Sequence, residues 1–407
     1  MNILIYTQYF LPETNAPANR WGYFARYLAQ QGHQVTVLTS FPHHPQGKIF
    51  PGYRNQWKKV EKRDGITIIR SWTYITSSRR FLPRLLNYLS FAYSSYRNSR
   101  AIKNLDVVIA SSPPLFVAFQ GRRIARREKV PFVLDLRDMW PEAAVSTGYL
   151  RQGLIYSWAE RKIQQVYKEA KKIIVNSPAL AKELEGKGIE KEKVVFIPNG
   201  VDISSFIPTP DVSQVGEQYN LQGKFVVLYA GLLGFAQAME VVIEAADILR
   251  KYSDIVFLIV GTGPKEKRLK LEVQRRKLNN VILVGARSHR LIPDFISWAD
   301  VCLIPYVNKE TFQKNIPSKM YEYMAGGKAI IINLEGEAAK VIEKAKAGLV
   351  VKAGSPLSLA KGILYLVHNQ KLREQMGKNG REYVVKYRDK KVLGSQLESI
   401  LQNVIKK

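Results

Sequence analysis

The sequence predicts an α/β protein built from two doubly wound parallel-sheet domains. Three observations lead there. The chain has 407 residues, more than one core organises, because single cores stop growing near ~250–300 residues. Short β-branched runs alternate with amphipathic stretches, the pattern of buried parallel strands covered by helices. The rhythm also runs twice, with a break across residues 203–223, where Pro208, Pro210, Gly216 and Gly223 lie among polar residues.

In the first half the strand-like runs are Asn2–Thr7, Val35–Ser40, Ile66–Trp72, Asp106–Ser112, Phe132–Leu136, Lys172–Ser177 and Val194–Pro198. Helical patterns fall between them, from about Ala18, over 81–103, after Pro114, over Leu154–Glu169 and from Pro178. In the second half the runs are Phe225–Ala230, Ile255–Val260, Val281–Val284, Val301–Ile304, Ala329–Asn333 and Leu349–Val351. The expected organisation is a first domain over 1–202, a connection over 203–223 and a second domain over 224–385. A last helix over 386–407 is expected to return to the first domain. Two such domains face each other across a cleft, and parallel sheets bind ligands beyond the carboxyl ends of their strands.

Composition narrows the chemistry. The net charge is +28, from 62 basic and 34 acidic residues, which calls for an anionic partner, either nucleic acid or acidic lipid. Between Gly65 and Leu105 stand seven basic residues and no carboxylate, among many aromatic and aliphatic side chains. Apolar residues at Leu82, Leu85, Leu86, Leu89, Ala92, Tyr93 and Tyr96 follow helical spacing, so one face of this helix is expected on the sheet. Phe81, Tyr88 and Phe91 on its other faces, with flanking arginines, make a membrane-surface composition. No helix-turn-helix, RNA-binding or zinc module is recognisable, so nucleic acid is not expected as a partner. The lone Cys302 cannot form an internal disulfide or a cysteine cluster, and the five histidines make no metal pattern. Neither a metal nor a cofactor is expected. The N-terminus reads directly as a strand and no apolar run reaches ~18 residues, so neither a signal peptide nor a spanning helix is expected.

The loops after the strands carry the candidate site. Gly261-Thr262-Gly263-Pro264-Lys265 is a glycine turn entering a helix, and such a turn can offer N–H groups to phosphate. Pro317-Ser318-Lys319 opens a helix that carries Glu322 and stops at Gly326-Gly327. Free N–H groups at that start, the helix dipole and Lys319 suit a diphosphate, and Glu322 could accept both hydroxyls of a ribose. An ordinary capped helix with a surface lysine is the plain alternative.

In these segments the chain resembles retaining GT-B glycosyltransferases of the glycogen-synthase-like and cell-surface polysaccharide family. Further segments that carry the resemblance are Ile197-Pro198-Asn199-Gly200-Val201-Asp202, Tyr229-Ala230-Gly231 and Ala347-Gly348-Leu349-Val350. The resemblance implies a donor site bounded by two glutamates eight positions apart. Glu322 matches the second, and Lys314 stands at the first, where the family contacts the donor sugar. In the segment from Gly231 through Gly234 to Gln237 many relatives carry an arginine and a lysine for the diphosphate, and Lys319 and Lys265 are the candidates to replace them. Arg287 is a candidate at the nucleotide base.

Phe10 to Arg20 and Asp135 to Glu142 make the first domain similar to bacterial fucosamine-type transferases of O-antigen and capsule assembly. This implies N-acetylfucosamine or a related amino or deoxy sugar, moved from a UDP-sugar to a polyprenyl-diphosphate-linked saccharide. Asp138, with Arg137 beside it, is the candidate catalytic base, though the two could also form a structural ion pair. Glu13, Asn15, Asn19 and Arg20 are the candidate acceptor contacts. The expected setting is cytoplasmic and peripheral on the anionic inner face of the plasma membrane. The alternatives are a soluble transferase or an epimerase of the same shape acting on a small acceptor and, further off, a basic nucleic-acid-binding protein.

Overall fold

A computed structural model describes residues 1–78, 80–146, 150–206, 214–314 and 316–406. The chain divides into two compact units, Met1–Asn199 with Lys390–Lys407, and Gly200–Asp389.

In the first unit the strands are β1 (Asn2–Tyr6), β2 (Gln34–Ser40), β3 (Lys58–Arg63), β4 (Ile66–Ser71), β5 (Val107–Ser112), β6 (Phe132–Leu136), β7 (Lys172–Val175) and β8 (Val194–Phe196). They form one sheet in the order β3-β4-β2-β1-β5-β6-β7-β8. All pairs are parallel except the edge pair of β3 with β4. β3, KKVEKR, is not among the strands expected from sequence, because its charge hides the alternation. It lies at the sheet edge, where charged residues discourage further pairing.

Side-chain alternation along β1 builds both faces of this sheet. Ile3 and Ile5 pack with Trp21, Phe24 and Leu28 of the helix Ala16–Gln30 and with Leu393, Leu397 and Leu401 of the last helix, Lys390–Lys406. Leu4 and Tyr6 turn to the other face, with Phe91, Val117 and Ile163. That face is covered by the helices Phe81–Asn98, Leu115–Glu128 and Leu154–Glu169, packed side by side in that order.

The helix Phe81–Asn98 ends earlier than expected, and the side it buries differs in part from the one expected: Phe91, expected on an outer face, is buried in the core. Its buried residues are Asn87, Phe91, Ala92, Ser94, Ser95 and Asn98. Ser95 Oγ lies 2.7 Å from Tyr6 Oη, Gln8 Nε2 donates to Asn87 Oδ1 at 2.8 Å, and Asn98 Nδ2 donates to Ser71 Oγ at 3.0 Å. Leu82 and Tyr93 are 63% and 60% exposed, and Leu86 and Leu89 are exposed between them. Leu82, Leu86, Leu89 and Tyr93 of the stripe expected on the sheet therefore face outward, whereas Ala92 is buried and Tyr96 packs against the core. Periodicity identifies a stripe but not which side is buried, and here Asn87, Ser94, Ser95 and Asn98, with internal partners, share the interior with Phe91 and Ala92.

In the second unit the strands are β9 (Phe225–Ala230), β10 (Ile255–Val260), β11 (Val281–Gly285), β12 (Val301–Ile304), β13 (Ala329–Ile332) and β14 (Gly348–Val350). They form a parallel sheet in the order β11-β10-β9-β12-β13-β14. The described parts of 203–223 belong to this unit: Phe206, Val215 and Leu221 are buried in its core, and Gly216 lies against the Trp298 ring. Here the polar, proline-rich composition misled, and the division falls at Asn199/Gly200. Pro208 and Pro210, on which that expectation leaned, lie outside the described residues.

Candidate active site

In the second unit the site grows from the end of β9. Ala230 N donates to Tyr323 Oη at 2.9 Å, and Tyr323 is fully buried on the helix Ser318–Ala325. This pins the helix to the strand one residue before Gly231. Lys319 and Glu322, three positions apart, share the helix face that Met320, Tyr321, Tyr323 and Met324 leave to the outside. The helix has no side-chain cap at Pro317, so Ser318 and Lys319 open it with uncapped N–H groups.

Lys319 reaches back over the strand. Its Nζ lies 4.0 Å from the centre of the Tyr229 ring and against Gly231, where a β-carbon would collide with the ammonium. Gly231 has φ +148°, conformational space that side chains rarely enter. Burial pushes the Lys319 ammonium down to about 7, with Glu322 acting in the opposite direction. This half-buried side chain lies over a glycine and an aromatic face, without a carboxylate in direct contact among its described interactions.

The two glycine turns lie against each other. Leu233 N donates to Thr262 O at 2.9 Å and Lys265 N donates to Leu233 O at 3.0 Å. A β-carbon at Gly261 would strike Gly231 O, and one at Gly263 would strike Leu233 O. Gly234 N is held by Gln237 Oε1 at 3.1 Å. Close backbone packing is thus what these glycines serve.

Lys265 does not match its expected role. Its Nζ donates to Glu240 Oε2 at 2.9 Å and to Gln237 O at 3.2 Å, so its charge is spent inside the unit, bracing the loop. Arg287 is exposed and donates to Tyr219 Oη at 2.9 Å. Glu322 Oε1 lies 3.1 Å from His289 Nε2, a pairing that the sequence does not announce.

In the first unit Asp135, within β6, is a buried hub. It accepts from Arg20 Nε at 3.2 Å, Trp21 Nε1 at 2.9 Å and Ser111 Oγ at 2.8 Å. Arg20 also donates to Pro198 O and Ile197 O, both at 2.9 Å. Expected at the acceptor, Arg20 is instead buried and committed to the framework. Arg137 turns back as well, donating to Ser111 Oγ at 3.1 Å and to Pro113 O, with Asp135 Oδ2 3.8 Å away. Its nearest carboxylate among the described ion pairs is therefore Asp135, and the Arg137–Asp138 pair weighed from sequence is not among them. Burial raises the Asp138 carboxyl above its ordinary range, opposed by the charge of Arg137.

Glu13, Asn15 and Asn19 lie in the loop after β1 and at the start of the helix that follows. Asn15 caps that helix, accepting from Ala18 N at 2.9 Å, and its Nδ2 lies 3.3 Å from His44 Nδ1. Asn19 Nδ2 donates to Thr14 O at 3.2 Å. Glu13 is buried, and its Oε1 accepts from His43 N and His44 N, both at 2.8 Å. Burial pushes this carboxyl up to about 7 and the His44 imidazole down to about 4. The His44 ring stands edge-on to Tyr9, centroids 5.2 Å apart. His43 and His44, which looked uninformative in sequence, thus join Glu13, Asn15 and Tyr9. They follow β2 directly, so the strand-end rule that singled out the other loops was the signal that could have found them.

Two family models match the chain: Glycosyltransferase Family 4 over residues 18–205 and Glycosyl transferases group 1 over residues 214–383. The Escherichia coli (strain K12) protein WcaI, assigned to colanic acid biosynthesis as a glycosyl transferase, is 30% identical over 345 residues, covering 81% of this chain and 83% of the relative. The chain belongs to the group 1 glycosyltransferases. A Campylobacter jejuni relative, the N,N'-diacetylbacillosaminyl-diphospho-undecaprenol alpha-1,3-N-acetylgalactosaminyltransferase, is 23% identical over 76% of this chain and 80% of its own.

Among solved structures, this glycosyltransferase is similar to the sucrose-phosphate synthase of Thermosynechococcus elongatus, with TM-score 0.77, 18% identity and 99% of both chains covered. It is also similar to Anabaena HepE in complex with UDP, with TM-score 0.70, 16% identity and 99% of this chain and 100% of that one covered. The fold is GT-B, two parallel-sheet α/β domains. Among the described residues no group of three or more His, Cys, Asp or Glu could hold a metal ion.

Proposed function

We propose that this glycosyltransferase moves a sugar, with retention of configuration, from a UDP-linked donor to a polyprenyl-diphosphate-linked saccharide during assembly of a cell-surface polysaccharide. The observation that carries the reading is Lys319, a half-buried lysine seated over Tyr229 and Gly231 at an uncapped helix start. Such a site suits a diphosphate and stabilises it further as charge develops on the leaving group. Glu322 is the partner for the ribose hydroxyls, which requires it to exchange His289 for the ligand. Gly231, Gly234 and Gly263 let the backbone approach the phosphates, Lys265 holds their loop through Glu240, and Arg287 borders the base. The HepE complex with UDP supports the choice of nucleotide.

Asp138, its carboxyl raised by burial, is the proposed base for the acceptor hydroxyl, with Arg137 positioned by Ser111. Glu13 shapes the acceptor side by fixing the loop that carries His43 and His44, and Asn15 and Asn19 flank it. The undecaprenol-linked substrate in the Campylobacter relative's name supports a lipid-linked acceptor. The donor sugar is an amino or deoxy sugar of the N-acetylfucosamine class, with Lys314 standing in place of a family glutamate. Among the described residues no helix is long and apolar enough to cross a membrane. The outward Leu82, Leu86, Leu89 and Tyr93 face, set among arginines, is suited to peripheral attachment at an anionic cytoplasmic leaflet.

A thermal-shift screen of UDP-, GDP- and dTDP-sugars tests the donor, because a ligand that binds only the native state raises its melting temperature. The expected result is stabilisation by UDP-sugars, followed by transfer to a polyprenyl-diphosphate-linked saccharide. Equal transfer to the free saccharide would establish the soluble-acceptor reading instead.

A further inference from the structure

The helix Leu154–Glu169 has an unusual start. Leu154 is 89% exposed and Ile155 63%, and Trp158 is exposed one turn on. Ala159, Ile163, Val166 and Tyr167 bind the rest of the helix to the sheet, so the first turns are not needed for that packing. Arg151, Arg161 and Lys162 are exposed around them. Exposed apolar residues scattered singly need no explanation, but a cluster of large ones ringed by cations does.

Two features fix where this cluster lies. The helix ends beside the start of β7, where Lys171 N donates to Phe132 O at 2.8 Å, and helices of a parallel sheet run against their strands. At 16 residues it is about 24 Å long, against about 13–17 Å for strands of four or five residues. Its first turns therefore project past the carboxyl edge of the sheet. Lys187 joins Glu160, two residues after Trp158, to Glu142, which opens the short helix that follows Asp138. The cluster stands at the edge that carries Asp138.

The first turns of Phe81–Asn98 pass the same edge, since Asn87 bonds Gln8 just beyond β1. Aromatic contacts cross the intervening helix: Trp158 meets Phe119 at 6.1 Å between centroids, Phe119 meets Phe116 at 6.0 Å, and the Arg123 guanidinium sits 5.0 Å from the Tyr96 ring centre.

We infer that Leu154, Ile155 and Trp158 form a second membrane-inserting element that works with the outward face of Phe81–Asn98 to seat the carboxyl edge of the first sheet on an anionic bilayer. This rests on the membrane reading proposed above and extends it from one helix to two attachment points. The occupant is a lipid surface because the apolar side chains are bordered by arginine and lysine, which complements anionic headgroups. Two attachment points fix an orientation, as one helix cannot. They hold the edge that carries Asp138 at the depth of a diphosphate joined to a lipid.

The test is co-sedimentation of the full chain with phosphatidylcholine–phosphatidylglycerol vesicles, comparing wild type, Leu154→Ser/Ile155→Ser and Leu86→Ser/Leu89→Ser. Each double variant is expected to lower the partition coefficient about tenfold or more, since each removes two buried aliphatic side chains. Circular dichroism should be unchanged, because these residues are exposed. A solvatochromic dye on Leu154→Cys provides a second readout; Cys302 is buried, so labelling is selective. Its emission should shift to the blue on adding vesicles. Failure of the wild type to bind vesicles would overturn the membrane reading as a whole. Wild-type binding with an unaffected Leu154→Ser/Ile155→Ser variant and an unshifted dye would overturn the second attachment point alone. Self-association that disappears in that variant, without loss of vesicle binding, would assign the cluster to contact between copies.

Discussion

Lys319 Nζ lies 4.0 Å from the centre of the Tyr229 ring and against the backbone of Gly231. Partial burial of the ammonium over a ring and a glycine at a strand end lowers its pKa to about 7. That contact joins the helix Ser318–Ala325 to the end of β9, and most of the account depends on it.

Protonation should follow ligand binding at this lysine. Above pH about 7 the side chain is neutral in the free protein, and a bound diphosphate restores the charged form. Binding of UDP at pH 8 is expected to take up a proton, and binding at pH 6, where the lysine is already charged, is not. Calorimetry in buffers of different ionisation enthalpy checks this. The uptake should vanish in Lys319→Met.

Gly231→Ala addresses the same contact from the other side. A β-carbon there would displace the ammonium, and the backbone sits at φ +148°. The expected cost is about 1–3 kcal/mol in stability, together with loss of UDP affinity. A folded variant with wild-type affinity would mean that the lysine does not need this seat.

Glu322 separates ribose from phosphate recognition. Glu322→Ala should weaken UDP about tenfold or more, the worth of a charged hydrogen bond, while leaving inorganic pyrophosphate unchanged. Equal weakening of both would assign Glu322 to the phosphates or to folding.

Glu13 predicts a pH dependence of stability. Its folded pKa of about 7 lies above its ordinary 4.5, so the folded state holds the proton more tightly. Stability should therefore fall as pH rises between these values. Glu13→Gln keeps an oxygen for His43 N and His44 N but cannot ionise. Between pH 5 and pH 8 it should lose less stability than wild type, by up to ~3 kcal/mol in chemical denaturation.

Much of the architecture was legible because buried parallel strands announce themselves. Ile255–Val260 and Val301–Ile304 are continuous apolar runs, and their bounds match the structure. The charged edge strand Lys58–Arg63 was not legible, since an edge needs no apolar alternation. Nor was the polar buried side of Phe81–Asn98, because the partners of Ser95 and Asn87 are Tyr6 and Gln8, some eighty to ninety positions earlier. The site divides the same way. Pro317-Ser318-Lys319 could be read from local helix-start chemistry. The inward commitments of Arg20 to Asp135 and of Lys265 to Glu240 depend on side chains brought together only by the fold.

The most direct test of the central claim is a calorimetric titration of UDP into wild type and Lys319→Ala at pH 6.5. Affinity is expected to fall about thirtyfold, equivalent to about 2 kcal/mol for a lost charge-assisted contact, with an unliganded melting temperature no lower than that of wild type. Equal affinity in the two proteins would contradict it.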